Sequence, residues 1–318
     1  MSGGESTTDP QTYGYLGPAG TFTQMALHRW GVPDGAAERA FGSVDAALAA
    51  LREGQIVAAM VPIENSVEGG VSATLDALAH GDPLVVIGEV LVPITFVLAA
   101  RPGTDMAQVR RIGTHPHAWA QVRNYVAEHL PDAVYVPALS TAAAAASLAT
   151  DPDAPFDASV SAPVAATSNG LTILAEDIGD MKHAVTRFVL VARPGDLPER
   201  TGADKTTVVL FQHHDRPGAL LELLEQFSVR GINLTRLESR PTGESMGSYC
   251  FSVDFEGHVL DERVGEALVG LKRVCLGVRF LGSYPRADEI ETRVAPDISD
   301  AAFHEARSWL ADIRNHID

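Results

Sequence analysis

Cysteine is scarce in this sequence. Its 318 residues include only two cysteines, Cys250 and Cys275. Two cysteines cannot build a disulfide framework, and their spacing matches no zinc motif. We therefore expect a cytoplasmic protein in a reducing compartment, without a structural metal, in which both thiols are small core residues.

Positive charge is also scarce. The chain has 24 Lys and Arg residues against 41 Asp and Glu residues, which gives a formal net charge of −17. This charge repels nucleic acids and anionic membranes, and no basic cluster offsets it. An anionic substrate would have to be held by hydrogen-bond donors in its site, against the electrostatic repulsion of the negatively charged protein.

Neither a signal peptide nor a membrane span is indicated. Residues 1–11 contain no basic segment and no apolar run, so we expect a disordered leader there. The most apolar run, residues 90–100, has about half of the roughly 20 residues that a membrane helix needs. We interpret this run as part of a buried strand over residues 89–99.

The order of apolar segments predicts an α/β protein. Strand and helix patterns alternate throughout residues 13–191, which favours a largely parallel sheet, and the length suggests two lobes with a cleft. The Pro- and Gly-rich residues 193–204 are the best domain boundary. Residues 206–283 then follow the order βαββαβ of a ferredoxin-like unit.

The domain boundaries follow from these patterns. We expect a two-lobed domain over 12–194 with its second lobe at about 93–183, a linker over 195–204, the ferredoxin-like unit over 205–284 and a tail over 285–318. The tail contains a helical pattern whose apolar stripe is expected to pack on the protein or on a partner subunit.

Thr186 and Arg187 form the candidate reaction centre. They are the only polar pair inside the apolar strand pattern of residues 184–191. Arg187 offers a forked, permanent positive charge suited to a carboxylate, and the Thr186 hydroxyl can donate or accept a hydrogen bond. A purely structural role for the pair stays open, because Thr is common in strands and Arg usually extends to water.

Four polar residues lie where a strand pattern gives way to a helix pattern: Thr21, Ser66, His115 and Thr141. Helix N-termini that face one cleft could hold a small dianion without many lysines. Asn65 and Ser66 can each donate to a carboxylate. Plain helix capping is the alternative for each of these positions.

Histidines offer two further candidates. His115 is the only histidine in a strand-to-helix position of the predicted cleft, and it could be a proton source or a structural residue at the helix entry. The run His213-His214-Asp215 could suggest a metal, but these residues are adjacent in a turn and lack further ligands. We therefore predict no metal there.

Taken together, five segments resemble the prephenate dehydratase family. They are Gly17-Pro18-Ala19-Gly20-Thr21-Phe22, Pro62-Ile63-Glu64-Asn65-Ser66-Val67-Glu68-Gly69, Thr114-His115-Pro116, Thr186-Arg187-Phe188, and a C-terminal module similar to an ACT domain. The module contains Arg216-Pro217-Gly218-Ala219-Leu220, Gly231-Ile232-Asn233-Leu234 and Glu238-Ser239-Arg240-Pro241. The resemblance covers about residues 13–284 in order.

The resemblance implies a fold and a function. The fold is a two-lobed catalytic domain of the type II periplasmic-binding-protein kind, with a cleft, followed by a ferredoxin-like βαββαβ ACT regulatory domain. The activity is the decarboxylating dehydration of prephenate to phenylpyruvate in L-phenylalanine biosynthesis, feedback-regulated by L-phenylalanine. Neither a redox cofactor nor a metal is implied, and the expected assembly is a homodimer or homotetramer.

The resemblance also implies residue roles. The expected catalytic residues are Thr186, Arg187 and His115. The expected substrate-binding residues are Thr21, Asn65, Ser66, Thr141 and Phe188. The expected effector-binding residues are Pro217, Gly218, Ala219, Leu220, Asn233, Leu234, Glu238, Ser239 and Arg240.

Two residues depart from the family pattern, and two other functions stay open. Ala184 stands where the family commonly has Asn, and His117 where it usually has Gln, so one polar contact near the reaction centre is missing or supplied elsewhere. No chorismate mutase segment precedes the first strand, so we expect a monofunctional enzyme. The alternatives are an arogenate dehydratase and a non-catalytic small-molecule sensor.

Overall fold

The computed structural model describes residues 11–212, 216–242 and 249–316, and it contains two compact units. The first unit comprises Met1–Thr74 and Val90–Val189, and the second comprises Leu75–Glu89 and Leu190–Asp318. Most of the expected leader, and the run His213-His214-Asp215, lie outside the described residues.

The chain begins with strands and helices in alternation. The elements as far as the first change of lobe are β1 (Thr12–Leu16), α1 (Phe22–Trp30), β2 (Ala37–Phe41), α2 (Val44–Arg52), β3 (Ala58–Asn65), β4 (Gly69–Gly70), α3 (Ser72–Ala79) and β5 (Val85–Pro93). The hydroxyls of Thr21 and Ser43 cap the first two helices by accepting the backbone N–H groups of Gln24 and Ala46.

The second lobe and the return strand follow. Their elements are β6 (Val97–Ala100), β7 (Arg111–Thr114), α4 (Pro116–Ala120), α5 (Arg123–His129), β8 (Val134–Pro137), α6 (Thr141–Thr150), β9 (Ala158–Ser161), α7 (Pro163–Ser168), β10 (Thr172–Ala175) and β11 (Val185–Ala192). A short 3-10 helix covers Met106–Gln108. The lobe has an alanine-rich core in which α6 and α7 cover the sheet.

Each lobe is built on one mixed sheet. The first sheet has the order β2-β1-β3-β11-β5 with β4 paired to β3, and the second has the order β10-β6-β9-β7-β8. Pairs such as β1 with β3 and β7 with β9 are parallel, whereas β6 is antiparallel to both β9 and β10. The prediction of largely parallel sheet is therefore too simple.

Two predicted elements are interrupted. The expected strand over residues 89–99 is wrong as a single element, because β5 ends at Pro93, which has no N–H to donate, and Ile94 donates to the Ala184 carbonyl instead. The sequence pattern also predicts one helix over residues 118–129, but the structure has two helices there, α4 and α5. The Asp180 carboxylate accepts the N–H groups of Asn124 and Tyr125 and so starts α5 separately.

The second unit contains the predicted ferredoxin-like fold. Its elements are β12 (Asp204–Phe211), α8 (Ala219–Ser228), β13 (Leu234–Pro241), β14 (Tyr249–Glu256), α9 (Glu262–Val274) and β15 (Gly277–Pro285), followed by α10 (Asp300–Asn315). The sheet order is β13-β14-β12-β15, and every neighbouring pair is antiparallel. Helices α8 and α9 cover one face, where Val208, Phe227, Phe255 and Leu271 form the core.

The opposite face of this sheet is polar and is covered by Leu75–Glu89. Lys205 and Glu89 form a buried ion pair, with Nζ 2.9 Å from Oε2. Arg279 donates to the carbonyls of Leu78 and Gly81. This segment, which precedes the second lobe in the chain, thus belongs structurally with the C-terminal sheet.

Helix α10 contacts α9 through ion pairs. Arg307 Nη2 lies 3.0 Å from Glu266 Oε1, and His304 Nε2 lies 3.1 Å from Glu262 Oε1. The predicted apolar stripe is largely uncovered, and the Trp309 side chain is 65% exposed. Whether this stripe packs against a partner subunit stays a prediction.

Neither a membrane helix nor a metal cluster occurs in the part of the chain that the structure describes. Over these residues, no helix combines the length and the apolar character needed to cross a bilayer. The same residues contain no group of three or more His, Cys, Asp or Glu side chains that could hold a metal ion.

Candidate active site

A cavity of about 360 Å³ lies in the first unit and is lined from both lobes. The first lobe contributes the turn after β1, the end of β3 and one side of β11, and the second contributes the starts of α4 and α6. Six of the eight predicted catalytic and substrate-binding residues line it: Thr21, Asn65, His115, Thr141, Thr186 and Phe188.

Thr186 and Asn65 form a hydrogen-bonded pair in the cavity wall. Thr186 lies on β11 and is 6% exposed. Asn65 Nδ2 donates to Thr186 Oγ1 over 2.7 Å, while Asn65 Oδ1 accepts the backbone N–H groups of Val67 and Glu68. These bonds fix which way the amide points. Because Thr186 Oγ1 accepts from Asn65, its own hydrogen can be donated to a bound molecule.

Arg187 and Ser66 do not line the cavity. Side chains alternate along a strand, so Arg187 points away from Thr186. Its Nη1 donates to Glu64 Oε2 over 3.1 Å. Ser66 exchanges two hydrogen bonds with the backbone of Val185, each 2.9 Å long. Both residues therefore join the β3–β4 hairpin to β11.

The hairpin also corrects one prediction. Ser66 was expected at the start of a helix, but it lies in the turn between β3 and β4, which pair antiparallel through Asn65 and Gly69. Gly69 has a φ of 84°. A glycine adopts this left-handed conformation without strain, and it lets the chain reverse directly after Asn65.

The other three predicted helix starts do meet at the cavity. Thr21 is the N-cap of α1, His115 is that of α4, and Ser140 caps α6 by accepting the Ala143 N–H over 2.9 Å. Thr141, which follows this cap, lines the cavity as well. Among the described residues that line this cavity, none is Lys or Arg. Amide N–H groups, hydroxyls and helix dipoles are therefore its means of holding an anion.

His115 is held in one tautomer. Its Nδ1 accepts the backbone N–H of His117 over 3.3 Å, so a neutral ring carries its proton on Nε2. Partial burial and the neighbouring His117 lower the pKa of His115 below 6.5, although Glu68 opposes the shift. The lowered pKa favours the neutral imidazole. This form can donate a hydrogen bond but is a poor source of a proton.

Sequence reasoning missed Gln121 and the apolar wall. Gln121 is 9% exposed and lines the cavity at the break between α4 and α5. The pattern placed it inside one continuous helix, and the break depends on Asp180, far away in sequence. Phe22 and Phe96 meet edge to face at 5.9 Å on the apolar side of the cavity.

The predicted effector residues are divided in the second unit. Gly218, Ala219, Leu220 and Ser239 line a cavity of about 490 Å³, which Pro217 precedes in the chain. Asn233 and Leu234 line a separate cavity of about 430 Å³. Glu238 and Arg240 alternate with Ser239 along β13 and so face the other side of the sheet. One chain alone does not bring the nine predicted residues together.

Comparisons with known proteins agree across the chain. The family model for prephenate dehydratase matches residues 13–196, and that for the ACT domain matches residues 207–273. A prephenate dehydratase of Amycolatopsis methanolica is 44% identical over 94% of this chain and 97% of its own length.

Solved structures show the same likeness. The prephenate dehydratase of Arthrobacter aurescens, in complex with L-Phe, is 57% identical, has a TM-score of 0.90 and covers 96% of this chain and 99% of its own. The quorum-quenching acylase GqqA is 30% identical with a TM-score of 0.77, over 87% of this chain and 98% of its own.

Proposed function

The chain belongs to the prephenate dehydratase family and carries its ACT domain, and we propose that the cavity around Thr186 performs the decarboxylating dehydration of prephenate to phenylpyruvate. The observation that supports this location is the 2.7 Å hydrogen bond from Asn65 to Thr186 inside a cavity bordered by helix N-termini. The pair supplies a positioned hydroxyl hydrogen at a place suited to an anion.

The reaction removes two groups from one ring. The bond from the ring to its hydroxyl breaks, a proton joins the departing oxygen to give water, and the electron pair of the ring–carboxylate bond enters the ring as carbon dioxide leaves. Aromatisation drives the step. The enzyme has to orient the dianion, assist the hydroxyl's departure and leave the departing carboxylate poorly solvated.

Thr186 is assigned to the leaving hydroxyl. Its oxygen is occupied by Asn65, so its hydrogen points to the substrate. A threonine hydroxyl is too weak an acid to supply the proton outright, so it acts by hydrogen bonding or by relaying a proton. The neutral His115 serves as a hydrogen-bond donor from Nε2 and as the cap of α4.

The rest of the cavity divides into a polar and an apolar part. Thr21 and Thr141, with the N–H groups at the starts of α1 and α6, are assigned to the pyruvyl carboxylate. Phe22, Phe96 and Phe188 provide an apolar surface for the ring and for the carboxylate that is lost. Arg187 is assigned a positioning role through Glu64, because its guanidinium does not line the cavity.

Regulation is assigned to the ACT domain. The relative from Arthrobacter aurescens binds L-Phe. In this chain the cavity that contains Gly218, Ala219 and Ser239 offers amide N–H groups at the start of α8 for a carboxylate and an apolar wall at Leu220 and Leu224. L-Phenylalanine bound there inhibits the enzyme.

The divided effector residues favour a homo-oligomer, with a homodimer or homotetramer as the expected assembly. Asn233 and Leu234 lie in a cavity of their own, so they can join Ser239 only if a second copy contributes them. Sedimentation equilibrium of the purified protein measures the assembly, and a monomer at all concentrations with full L-phenylalanine inhibition would contradict a shared site.

The first experiment is phenylpyruvate formation from purified prephenate, with and without L-phenylalanine, and with arogenate as a parallel substrate. Turnover of prephenate that L-phenylalanine suppresses would support both assignments. Preferential turnover of arogenate would identify an arogenate dehydratase. The Thr186→Ala protein in the same assay tests the location, because undiminished turnover would place the chemistry outside this cavity.

A further inference from the structure

Ser239 and Arg240 are neighbours on β13 that face opposite sides of the sheet. Ser239 lines the cavity assigned to the effector. The Arg240 guanidinium donates twice to Asp76 on α3, from Nε to Oδ1 over 2.9 Å and from Nη2 to Oδ2 over 2.7 Å. A two-pronged pair of this kind fixes orientation as well as distance. The strand that carries the effector contact is thereby attached to α3.

Helix α3 also holds the end of β3. Thr74 Oγ1 donates to the Pro62 carbonyl over 2.5 Å, and Val71 N–H, just before the helix, donates to the Ile63 carbonyl over 2.9 Å. The division between the two compact units falls inside α3, after Thr74, so the helix is covalently part of both. Less than one turn separates Thr74 from Asp76.

The Arg240–Asp76 pair is the adjustable attachment of this segment. Its side chains are 26% and 48% exposed, whereas those of Lys205 and Glu89 are 10% and 2% exposed. Water can replace the hydrogen bonds of a partly exposed pair when it rearranges, but breaking a buried pair leaves uncompensated charge. A change at the end of β13 can therefore alter Arg240–Asp76 and α3, while Lys205–Glu89 keeps the other end of the segment, at β5, attached to the sheet.

We propose that the Arg240–Asp76 ion pair couples the effector cavity to the catalytic cavity through α3. Effector bound against Ser239 shifts the end of β13, Arg240 moves Asp76 and α3 with it, and the end of β3 shifts in turn. Asn65 lies at that end and then no longer holds Thr186 in its active position. The inference rests on the proposed function, because it requires L-phenylalanine to bind in the cavity at Ser239.

The test is Asp76→Asn in the full-length protein, with Asp45→Asn as matched control. Asp45 is an exposed residue of α2, and its substitution makes the same change of charge. Asp76 lines neither cavity, so we expect turnover without effector and calorimetric L-phenylalanine affinity to stay within about threefold of wild type. Inhibition of prephenate turnover should weaken by about tenfold or more, in the range of ordinary coupling energies.

The charge-swapped protein Asp76→Arg with Arg240→Asp is the second variant, because it rebuilds the pair with reversed polarity. We expect it to recover inhibition relative to Arg240→Asp alone. Wild-type inhibition of Asp76→Asn with intact L-phenylalanine binding would overturn the coupling. A wild-type protein that shows no calorimetric binding of L-phenylalanine would instead overturn the effector site, so the two failures are distinguishable.

Discussion

The hydroxyl of Thr186 accepts a hydrogen bond from Asn65 and keeps its own hydrogen for another partner. In the proposed mechanism the two residues have different tasks, since Asn65 orients the oxygen and Thr186 donates to the substrate. The sequence pattern singled out Thr186 and Asn65 separately, as a polar break in an apolar strand and as a donor at a strand end. Their contact, across 121 positions in the chain, was not visible in the pattern.

Removal of the Thr186 hydroxyl should lower the rate of the chemical step. We expect Thr186→Ala to lower kcat by about 10²-fold or more, the scale of a lost acid–base or oxyanion-type contact. Thr186→Ser keeps the hydroxyl and should retain most of the activity. Steady-state turnover of prephenate measures both. Equal losses in the two variants would indicate that the methyl group, not the hydroxyl, is what matters.

His115 should make the native state more sensitive to acid. Its pKa is below the unfolded value of 6.5, so the unfolded chain binds more protons between the two pKa values and stability falls as the pH falls through that window. His115→Asn can still cap α4 but does not titrate. Urea midpoints between about pH 7.5 and about pH 5.5 should therefore fall less in this variant than in wild type.

The comparison for this experiment is His183→Asn, at an exposed position of the same unit. It should show the wild-type pH dependence. An unchanged slope in His115→Asn would contradict the assignment of a lowered pKa, and an increase of wild-type kcat on acidification through the same window would favour His115 as a proton source instead.

The β3–β4 hairpin and β11 together position the hydrogen-bonded pair Asn65 and Thr186, to which the proposed function assigns the reaction. Glu64, Asn65 and Ser66 are consecutive, and each contacts one of the consecutive residues Arg187, Thr186 and Val185. Three contacts in opposite directions along the two segments fix their register. Arg187, predicted as a carboxylate ligand or as a structural residue, does not line the cavity and pairs with Glu64 instead.

Glu64→Gln should therefore destabilise the fold more than it changes substrate binding. Arg187 is buried and would exchange the Glu64 carboxylate for a neutral amide, so we expect the unfolding free energy to fall by about 1–3 kcal/mol, the scale of a buried hydrogen bond to a charged group. KM should change little. Urea unfolding and prephenate kinetics measure the two effects, with Glu176→Gln at an exposed position as control. A raised KM at unchanged stability would return Arg187 to the role of carboxylate ligand.

Buried elements were predictable from the sequence, and elements defined by distant partners were not. β11 and β12 are dense in apolar and β-branched residues; β11 was predicted within one residue of both ends, and the start of β12 within two residues. β2 was missed because four of its five residues are exposed, so it has no apolar alternation. The break between α4 and α5 was missed because Asp180, which causes it, lies over fifty residues from Asn124.

The negative net charge of the whole molecule repels its anionic substrate. A net charge of −17 repels a dianion, and the described cavity residues include no Lys or Arg to offset this locally. We expect kcat/KM for prephenate to rise by about twofold or more between about 10 mM and about 150 mM salt, as the Debye length shrinks from about 30 Å to about 8 Å. Two different monovalent chlorides should give the same curve. A fall of kcat/KM with rising salt would mean that positively charged side chains near the cavity, rather than the net charge, control the approach of prephenate.

The segment Leu75–Glu89 is synthesised early, but its contacts with the C-terminal sheet can form only late. Glu89 precedes its partner Lys205 by 116 residues, so a ribosome that adds about 5–20 residues per second needs roughly 10 s to supply the partner. Until then the contacts of this segment with the C-terminal sheet, including the Lys205–Glu89 ion pair, are unmade. This segment therefore reaches its native contacts only after the C-terminal sheet has been synthesised, and we expect a chain truncated before Lys205 to leave the segment unfolded and to be captured by chaperones.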